Sequence, residues 1–246
     1  MSLLAVARAS KSFGGVAANR EISLDVEEGT IVGLIGPNGS GKTTLFNSIV
    51  GYHSIDSGSV RFAGQEISRL RVAEIARRGL LRTFQQTRIY GQMTCTRNML
   101  ISLPHRREGV RGMLSHFDAA AGEKADALLE FVGLYSKRHL HAGDLSFGQQ
   151  KLLEFAMALM SAPRMLLLDE PTAGINPTLI NGLIDRLKRA NAELGITLLV
   201  IEHNMRVIMN LAERIYCLAH GELLAEGTPA EIRDDQRVVD AYLGAT

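Results

Sequence analysis

Apolar and polar residues alternate in short runs along the first 62 positions, and turn residues separate the runs. Leu3–Ala9, Glu21–Val26 and Thr30–Ile35 read as strands, with Gly58–Phe62 as a fourth after the turn-like Asp56-Ser57-Gly58. Between them, Gly41–Val50 reads as a helix closed by Gly51. Ser68 is expected to cap a helix that runs through Val72, Ile75 and Ala76 to the stop signal Arg77-Arg78-Gly79. Leu81–Phe84 reads as a further strand. From Arg88 to Pro163 the pattern turns helical: Ala119–Phe131 is rich in Ala and Leu, and Phe147–Met160 is apolar-periodic until Pro163 ends it. Strands then return. Met165–Leu168 and Ile196–Ile201 are nearly continuous apolar runs, as in parallel strands covered on both faces, and Ile180–Leu194 between them fits a crossover helix. Arg214–Leu218 and Glu222–Ala225 read as a hairpin joined by His220-Gly221.

These elements describe an α/β protein. One domain is expected over residues 1–246, its core built from 1–87 and 164–246, with a helical subdomain inserted at 88–163. The length of 246 residues suits one large α/β domain or two small ones, no Pro/Gly linker splits the chain, and the length suffices for a sizeable core without covalent staples. A composition of 46% hydrophobic and 22% charged residues excludes intrinsic disorder. The two cysteines, Cys95 and Cys217, are too few for a disulfide framework or a structural zinc site. A net charge of +1 gives no global field toward nucleic acid or anionic lipid, so no nucleic-acid partner is expected. No apolar run reaches transmembrane length, and Arg8 and Lys11 interrupt the start, so it does not read as a signal peptide. The expectation is a cytosolic protein.

The chemistry concentrates at strand ends. Gly36-Pro37-Asn38-Gly39-Ser40-Gly41-Lys42-Thr43 fits G-x-x-x-x-G-K-[ST], after a strand and before a helix. Glycines there let backbone N–H groups and the helix N-terminus face phosphates; Lys42 would reach the β- and γ-phosphates and Thr43 would hold Mg²⁺. A random chain of this length would match the pattern roughly once in a hundred times, which favours the functional reading over a chance Gly-rich turn. Met165–Leu168 runs into Asp169-Glu170, where Asp169 is placed to hold Mg²⁺ through water and Glu170 to orient or deprotonate the attacking water. The bland alternative is that a buried strand simply ends in polar residues before Pro171.

Other positions carry two readings. His203, after Ile196–Ile201, is either a solvated loop residue or a hydrogen-bonding sensor of the γ-phosphate at the carboxyl end of the sheet. Leu145-Ser146-Phe147-Gly148-Gln149 opens a long helix, and Ser146 with Gln149 makes a capping box. The capping box leaves Gly148 unexplained, and a small residue there would let a second anion approach the helix N-terminus. Gln85 is either a polar loop residue or a hinge amide that binds Mg²⁺ or water. Phe13 either stacks on a base or joins the core. Arg77, Arg78, Arg82 and Arg88 form a basic patch that on its own reads as solvated surface.

With these motifs in this order, the chain resembles the ATP-binding subunit of an ABC transporter along its whole length. The resemblance implies a P-loop NTPase (RecA-like) core with an antiparallel β subdomain and an inserted helical subdomain carrying the signature motif. It places Phe13 at the adenine-stacking aromatic, Gly36–Thr43 with Thr44 at the nucleotide-binding Walker A, and Gln85 at the Q-loop. Leu145–Gln149, with Ser146, Gly148 and Gln149, falls at the signature, Leu166–Asp169 at Walker B, Glu170 at the catalytic glutamate and His203 at the switch histidine. Arg82-Thr-Phe-Gln85, Gly41-Lys-Thr-Thr-Leu-Phe-Asn47, Ala173-Gly-Ile-Asn-Pro177, Glu202-His203-Asn204-Met205 and Ala241-Tyr-Leu-Gly244 are similar to subunits serving uptake of branched-chain and other hydrophobic amino acids. Phe147 departs from the commonest signature, and Asn176 stands where many relatives carry Asp.

The resemblance further implies ATP and Mg²⁺ as cofactors and catalysis by Lys42, Gln85, Glu170 and His203, with Thr43, Gln85 and Asp169 toward the metal. The implied partners are a second ATPase subunit, either the same chain or a paralogue, two integral membrane permease subunits and, indirectly, a solute-binding protein. The implied location is the cytoplasmic face of the inner membrane. An ABC ATPase for lipid or lipopolysaccharide export, a non-transport ABC ATPase, a regulator without turnover and a P-loop kinase remain as alternative readings.

Overall fold

A computed structural model describes residues 2–83, 89–103 and 119–243. They group into two compact units, one of residues 1–82, 164–171 and 187–246, the other of residues 83–163 and 172–186. The first unit holds both sheets. Its four-stranded antiparallel sheet contains β1 (Ser2–Phe13), β2 (Val16–Glu27), β4 (Ser57–Phe62) and the short β5 (Gln65–Glu66), in the order β2-β1-β4-β5. Its six-stranded sheet is built from β3 (Ile31–Ile35), β6 (Leu80–Arg82), β7 (Met165–Asp169), β8 (Thr197–Ile201), β9 (Arg214–Ala219) and β10 (Glu222–Gly227). Their order is β10-β9-β3-β8-β7-β6, parallel except for the β9–β10 hairpin. All five residues of β3, β7 and β8 are buried, so both faces of these strands are covered, which accounts for their uninterrupted apolar runs. Leu34, Phe46, Leu167, Leu199 and Leu218 from the second sheet and its helices join Leu4, Ile22, Leu24 and Phe62 from the first in one core. Tyr216 ties the sheets together: its hydroxyl donates to the Asp25 carbonyl at 3.0 Å and accepts from the Asp25 N–H.

The helices of this unit are α1 (Lys42–Ile49), α2 (Val72–Arg77), α7 (Met205–Leu211), α8 (Pro229–Asp234) and α9 (Gln236–Leu243). Ser68 does not cap α2 as its sequence position suggests. Its hydroxyl accepts the Val60 N–H at 2.7 Å and donates to Glu66, so β4 and β5 hold it. The helix starts three residues later, where the Glu74 carboxylate accepts the Arg71 N–H at 3.0 Å. The strand expected over Leu81–Phe84 occupies Leu80–Arg82, and Phe84 lies outside the described residues.

The second unit is helical: α3 (Cys95–Ile101), α4 (Ala119–Phe131) and α5 (Phe147–Leu159), with short 3₁₀ turns at Tyr135–Lys137 and Ala142–Asp144. Buried Asn98 organises the turn before α3, accepting the Tyr90 N–H at 2.8 Å and donating to the carbonyls of Tyr90, Met93 and Thr94. The expected subdomain limits of 88–163 omit residues 172–186, which belong to this unit. The reason is local packing. Leu179 and Ile175 stand against Gly148, and Arg186 Nε donates to the Val132 carbonyl at 2.8 Å. The crossover helix α6 (Pro177–Leu194) contributes its first ten residues here and the remainder to the first unit.

Candidate nucleotide site

Gly36 to Thr43 turns from β3 into α1. Gly36, at φ 146°, cannot carry a side chain, because a Cβ would lie 2.1 Å from the Leu218 carbonyl oxygen. Gly41, at φ 98°, is equally constrained by the Ala18 carbonyl oxygen, 2.3 Å from its would-be Cβ. The loop curls around Lys42, whose ammonium donates to the Gly36 carbonyl at 2.8 Å, the Pro37 carbonyl at 3.0 Å and Ser40 Oγ at 3.4 Å. Lys42 is only 6% exposed. Burial pushes the Lys42 ammonium below the usual lysine value, and the negative charges of Glu170 and Asp169 pull it back up. Thr43 and Thr44 lie in the first turn of α1, which carries no acidic residue and no side-chain cap, so its N–H groups remain oriented for an anion. Pro37, Asn38, Gly39 and Ser40 form one wall of a cleft of about 310 Å³, with His220, Asp240 and Ala241 on the other.

Adjacent parallel strands deliver the acids. β7 ends at Asp169, and Glu170 follows in a left-handed conformation with φ 50°, its N–H bound to the Ile201 carbonyl at 2.9 Å. Such a conformation costs a non-glycine residue of order 1–3 kcal/mol and is tolerated where the surroundings over-determine it. It aims the Glu170 carboxylate at His203, just beyond β8, with Nε2 to Oε1 at 2.7 Å. Lys42, Asp169, Glu170 and His203 therefore converge at the carboxyl ends of β3, β7 and β8, where open α/β sheets bind ligands. Phe13 is 44% exposed, edge-on to His53 at 5.1 Å, with Lys11 Nζ 5.3 Å from its ring. Gln85 lies outside the described residues.

In the helical unit, Ser146 and Gln149 form the expected capping box, with Ser146 N–H to Gln149 Oε1 at 3.1 Å and the reverse bond at 3.4 Å. Gly148 has a packing reason that sequence does not reveal: a Cβ there would stand 3.1 Å from Leu179 Cδ1. Phe147, 47% exposed, lays its ring edge on Gly174 (φ 73°), where a Cβ would meet Phe147 Cε1 at 2.9 Å. Asn176 uses its one acceptor at the start of α6, taking hydrogen bonds from the Thr178 N–H at 3.1 Å and hydroxyl at 2.9 Å.

Three supporting residues have roles that the sequence alone does not reveal. Arg82, expected on a solvated basic patch, is buried: its guanidinium donates to Asp169 Oδ2 at 2.5 Å and Asn47 Oδ1 at 2.5 Å. The patch description holds for the exposed Arg77 and Arg78, while Arg88 lies outside the described residues. Buried Asn19 on β2 donates through Nδ2 to the Gly41 carbonyl at 3.1 Å. Tyr242 on α9 accepts the Gly36 N–H at 2.8 Å. Arg82 and Tyr242 had a signal, as parts of Arg82-Thr-Phe-Gln85 and Ala241-Tyr-Leu-Gly244, and Asn19 had none.

A parallel sheet whose phosphate-binding turn faces two strand-end acids and a histidine defines a P-loop nucleotide hydrolase, and known families narrow it further. The family described as ABC transporter matches residues 19–173, and that described as branched-chain amino acid ATP-binding cassette transporter matches residues 222–246. The chain belongs to the ABC transporter family, as an ATP-binding, ATP-hydrolysing subunit. It is 39% identical over 98% of both chains to BraF of Pseudomonas aeruginosa, a high-affinity branched-chain amino acid transport ATP-binding protein. It is 36% identical, again over 98% of both, to LivG of Escherichia coli, which carries the same description. An ATP-binding cassette of an ABC transporter crystallised in its ADP conformation superposes with a TM-score of 0.89, at 34% identity over 99% of each chain.

Proposed function

We propose that this chain powers uptake of branched-chain or related hydrophobic amino acids by binding and hydrolysing ATP between two ATPase subunits. The observation that carries the catalytic part is the convergence of Lys42 with the Glu170–His203 pair at neighbouring strand ends. Likeness to BraF and LivG supports the cargo class.

The phosphate chain of ATP would replace the Gly36, Pro37 and Ser40 oxygens as partner of the Lys42 ammonium, while Gly39, Gly41, Thr43 and Thr44 offer their N–H groups. Phe13 would stack on the adenine. Glu170 would accept a proton from the attacking water as its oxygen bonds the γ-phosphorus and the bond to the bridging β–γ oxygen breaks, leaving ADP. His203 would turn from Glu170 to the γ-phosphate, which frees the Glu170 carboxylate for the water. Thr43 and Asp169 fit Mg²⁺, a hard ion that takes a hydroxyl and a carboxylate and keeps several waters. When bound, Mg²⁺ neutralises phosphate charge. Gln85 would join the metal or its water, and Ser146, Gly148 and Gln149 would cover the γ-phosphate of a second subunit's ATP.

The unit of residues 1–82, 164–171 and 187–246 would thus hold the nucleotide, and the helical unit would pass closure to two membrane permeases fed by a solute-binding protein. No helix among the described residues is long and apolar enough to cross a membrane. Likeness to the ATP-binding proteins BraF and LivG supports peripheral attachment on the cytoplasmic face. The test is gentle affinity purification from native membranes, with radiolabelled leucine uptake in cells lacking the gene. Two co-purifying polytopic proteins and a loss of uptake support the assignment. Recovery of ribosomes or nucleic-acid enzymes, with leucine uptake intact, overturns it.

A further inference from the structure

Three groups on the outer side of the phosphate loop are each held by a different part of the chain. Asn19 on β2 takes the Gly41 carbonyl, the Gly221 N–H of the β9–β10 turn takes the Ser40 carbonyl at 3.2 Å, and Tyr242 takes the Gly36 N–H at 2.8 Å. The third comes from α9, a small helix near the end of the chain that packs against α8 and β10. Val238 is its one fully buried residue, whereas Val239 is exposed and Leu243 is 70% exposed. Asp240 and Ala241 of the same helix form one wall of the cleft whose other wall is Pro37–Ser40. The helix therefore runs alongside the loop and touches its first amide through a single hydroxyl.

That amide matters because of where it sits. Gly36 joins two peptide planes at φ 146°, with no room for a side chain. The plane before it is fixed by the Tyr242 hydroxyl and the plane after it by Lys42 on the Gly36 carbonyl. Lys42 must leave that carbonyl to meet a phosphate, whereas the Tyr242 bond can stay and hold the first amide of the loop where it leaves the β3–β9 ladder at Ile35. Burial pushes the Tyr242 phenol up to about 12, so it stays neutral and keeps its oxygen as an acceptor across the working pH range.

We propose that Tyr242 is a positioning residue for nucleotide binding: by holding the Gly36 N–H it keeps the phosphate loop in its binding-competent curl. The inference rests on the nucleotide-site reading but not on hydrolysis or cargo. A loop that is competent only a fraction of the time binds more weakly by that fraction. Linkage requires the reverse effect as well, so bound nucleotide tightens the docking of α9.

The test is Tyr242→Phe in the full chain, which removes one oxygen atom. Amide hydrogen exchange at Gly36, read without nucleotide, should quicken by about tenfold or more. The Kd for ADP with Mg²⁺ should rise about 5- to 30-fold, the scale of one orphaned buried donor. In ATP hydrolysis the loss should fall on KM rather than kcat, and ADP should slow exchange across α9 in the parent chain but not in the variant. An unfolding midpoint near that of the parent shows that the variant folds. Gly36 exchange equal in both chains overturns the proposal, even where the parent hydrolyses ATP at full rate. A lowered midpoint with unchanged Kd overturns it too, leaving Tyr242 a structural contact only.

Discussion

Replacing Arg82 with Met removes the cation that faces Asp169 while keeping an apolar stem against Phe46, whose ring centre lies 5.7 Å from the guanidinium carbon. The Arg82 and Asp169 side chains are 7% and 3% exposed and meet at 2.5 Å, so the substitution leaves a carboxylate buried without its partner. Breaking one side of a buried pair costs about 3–5 kcal/mol. Arg82 Nε is itself buried without a hydrogen-bond partner, so the pair is incompletely satisfied and the lower end, about 3 kcal/mol, is expected. The Arg20–Glu222 pair supplies the contrast, with both side chains 59% exposed at 3.4 Å. Arg20→Met should cost no more than about 1 kcal/mol. The chain has no Trp, so far-UV circular dichroism through a urea titration or a thermal scan is the suitable reporter. For a chain of this size, about 3 kcal/mol corresponds to a midpoint lowered by roughly 6–12 °C. If Asp169 takes part in holding Mg²⁺, nucleotide with Mg²⁺ should stabilise Arg82→Met more than the parent, because the ion restores a positive neighbour. A loss below about 1 kcal/mol, equal to that of Arg20→Met, would refute the buried-pair reasoning.

Glu170→Gln should keep ADP and ATP binding while hydrolysis falls by about 10²–10⁴-fold, the usual contribution of a positioned base; phosphate release at parental rate would remove Glu170 from that role. Ser146→Arg should leave nucleotide binding by the single chain intact but prevent ATP-dependent pairing, read by size-exclusion with light scattering in a Glu170→Gln background. It should also cost the helix about 1 kcal/mol through loss of its cap. Burial raises both thiols, Cys217 to about 11, so neither should react quickly with an alkylating reagent at pH 8 until urea exposes them; rapid labelling of either in the native chain would contradict their placement. The sign of the pH effect follows. Between about 9 and 11 the unfolded Cys217 thiol ionises and the folded one does not, so stability present below that window should be lost as pH rises through it.

What the sequence displays clearly is whatever depends on neighbours along the chain. The phosphate loop, the acids that end β7 and the hairpin turn at His220-Gly221 (φ 51° and 81°) each carry their own local grammar of glycine, polar residue and apolar run. Alternation fails where a bulge changes its parity. Arg8 at φ 45° and Glu21 at φ 46° break the register between β1 and β2, so Ala9 and Asn19 face inward where strict period two would turn them out. The strands read from sequence stop near those points, and Asn19 is lost with the missing stretch. Arg82 is hidden for another reason: a charge is ordinarily surface, and the carboxylate that makes its burial tolerable is 87 residues away. Tyr242 meets Gly36 across 206 residues. The contrast has a physical basis. The groups that touch phosphate must come from a tight turn and adjacent strand ends, and so leave compact signatures. The groups that hold that turn in shape need only be buried beside it, and any element that passes there can supply them. Arg82 and Tyr242 are such groups, supplied by β6 and α9, and their loss should weaken the site with every contacting residue still in place.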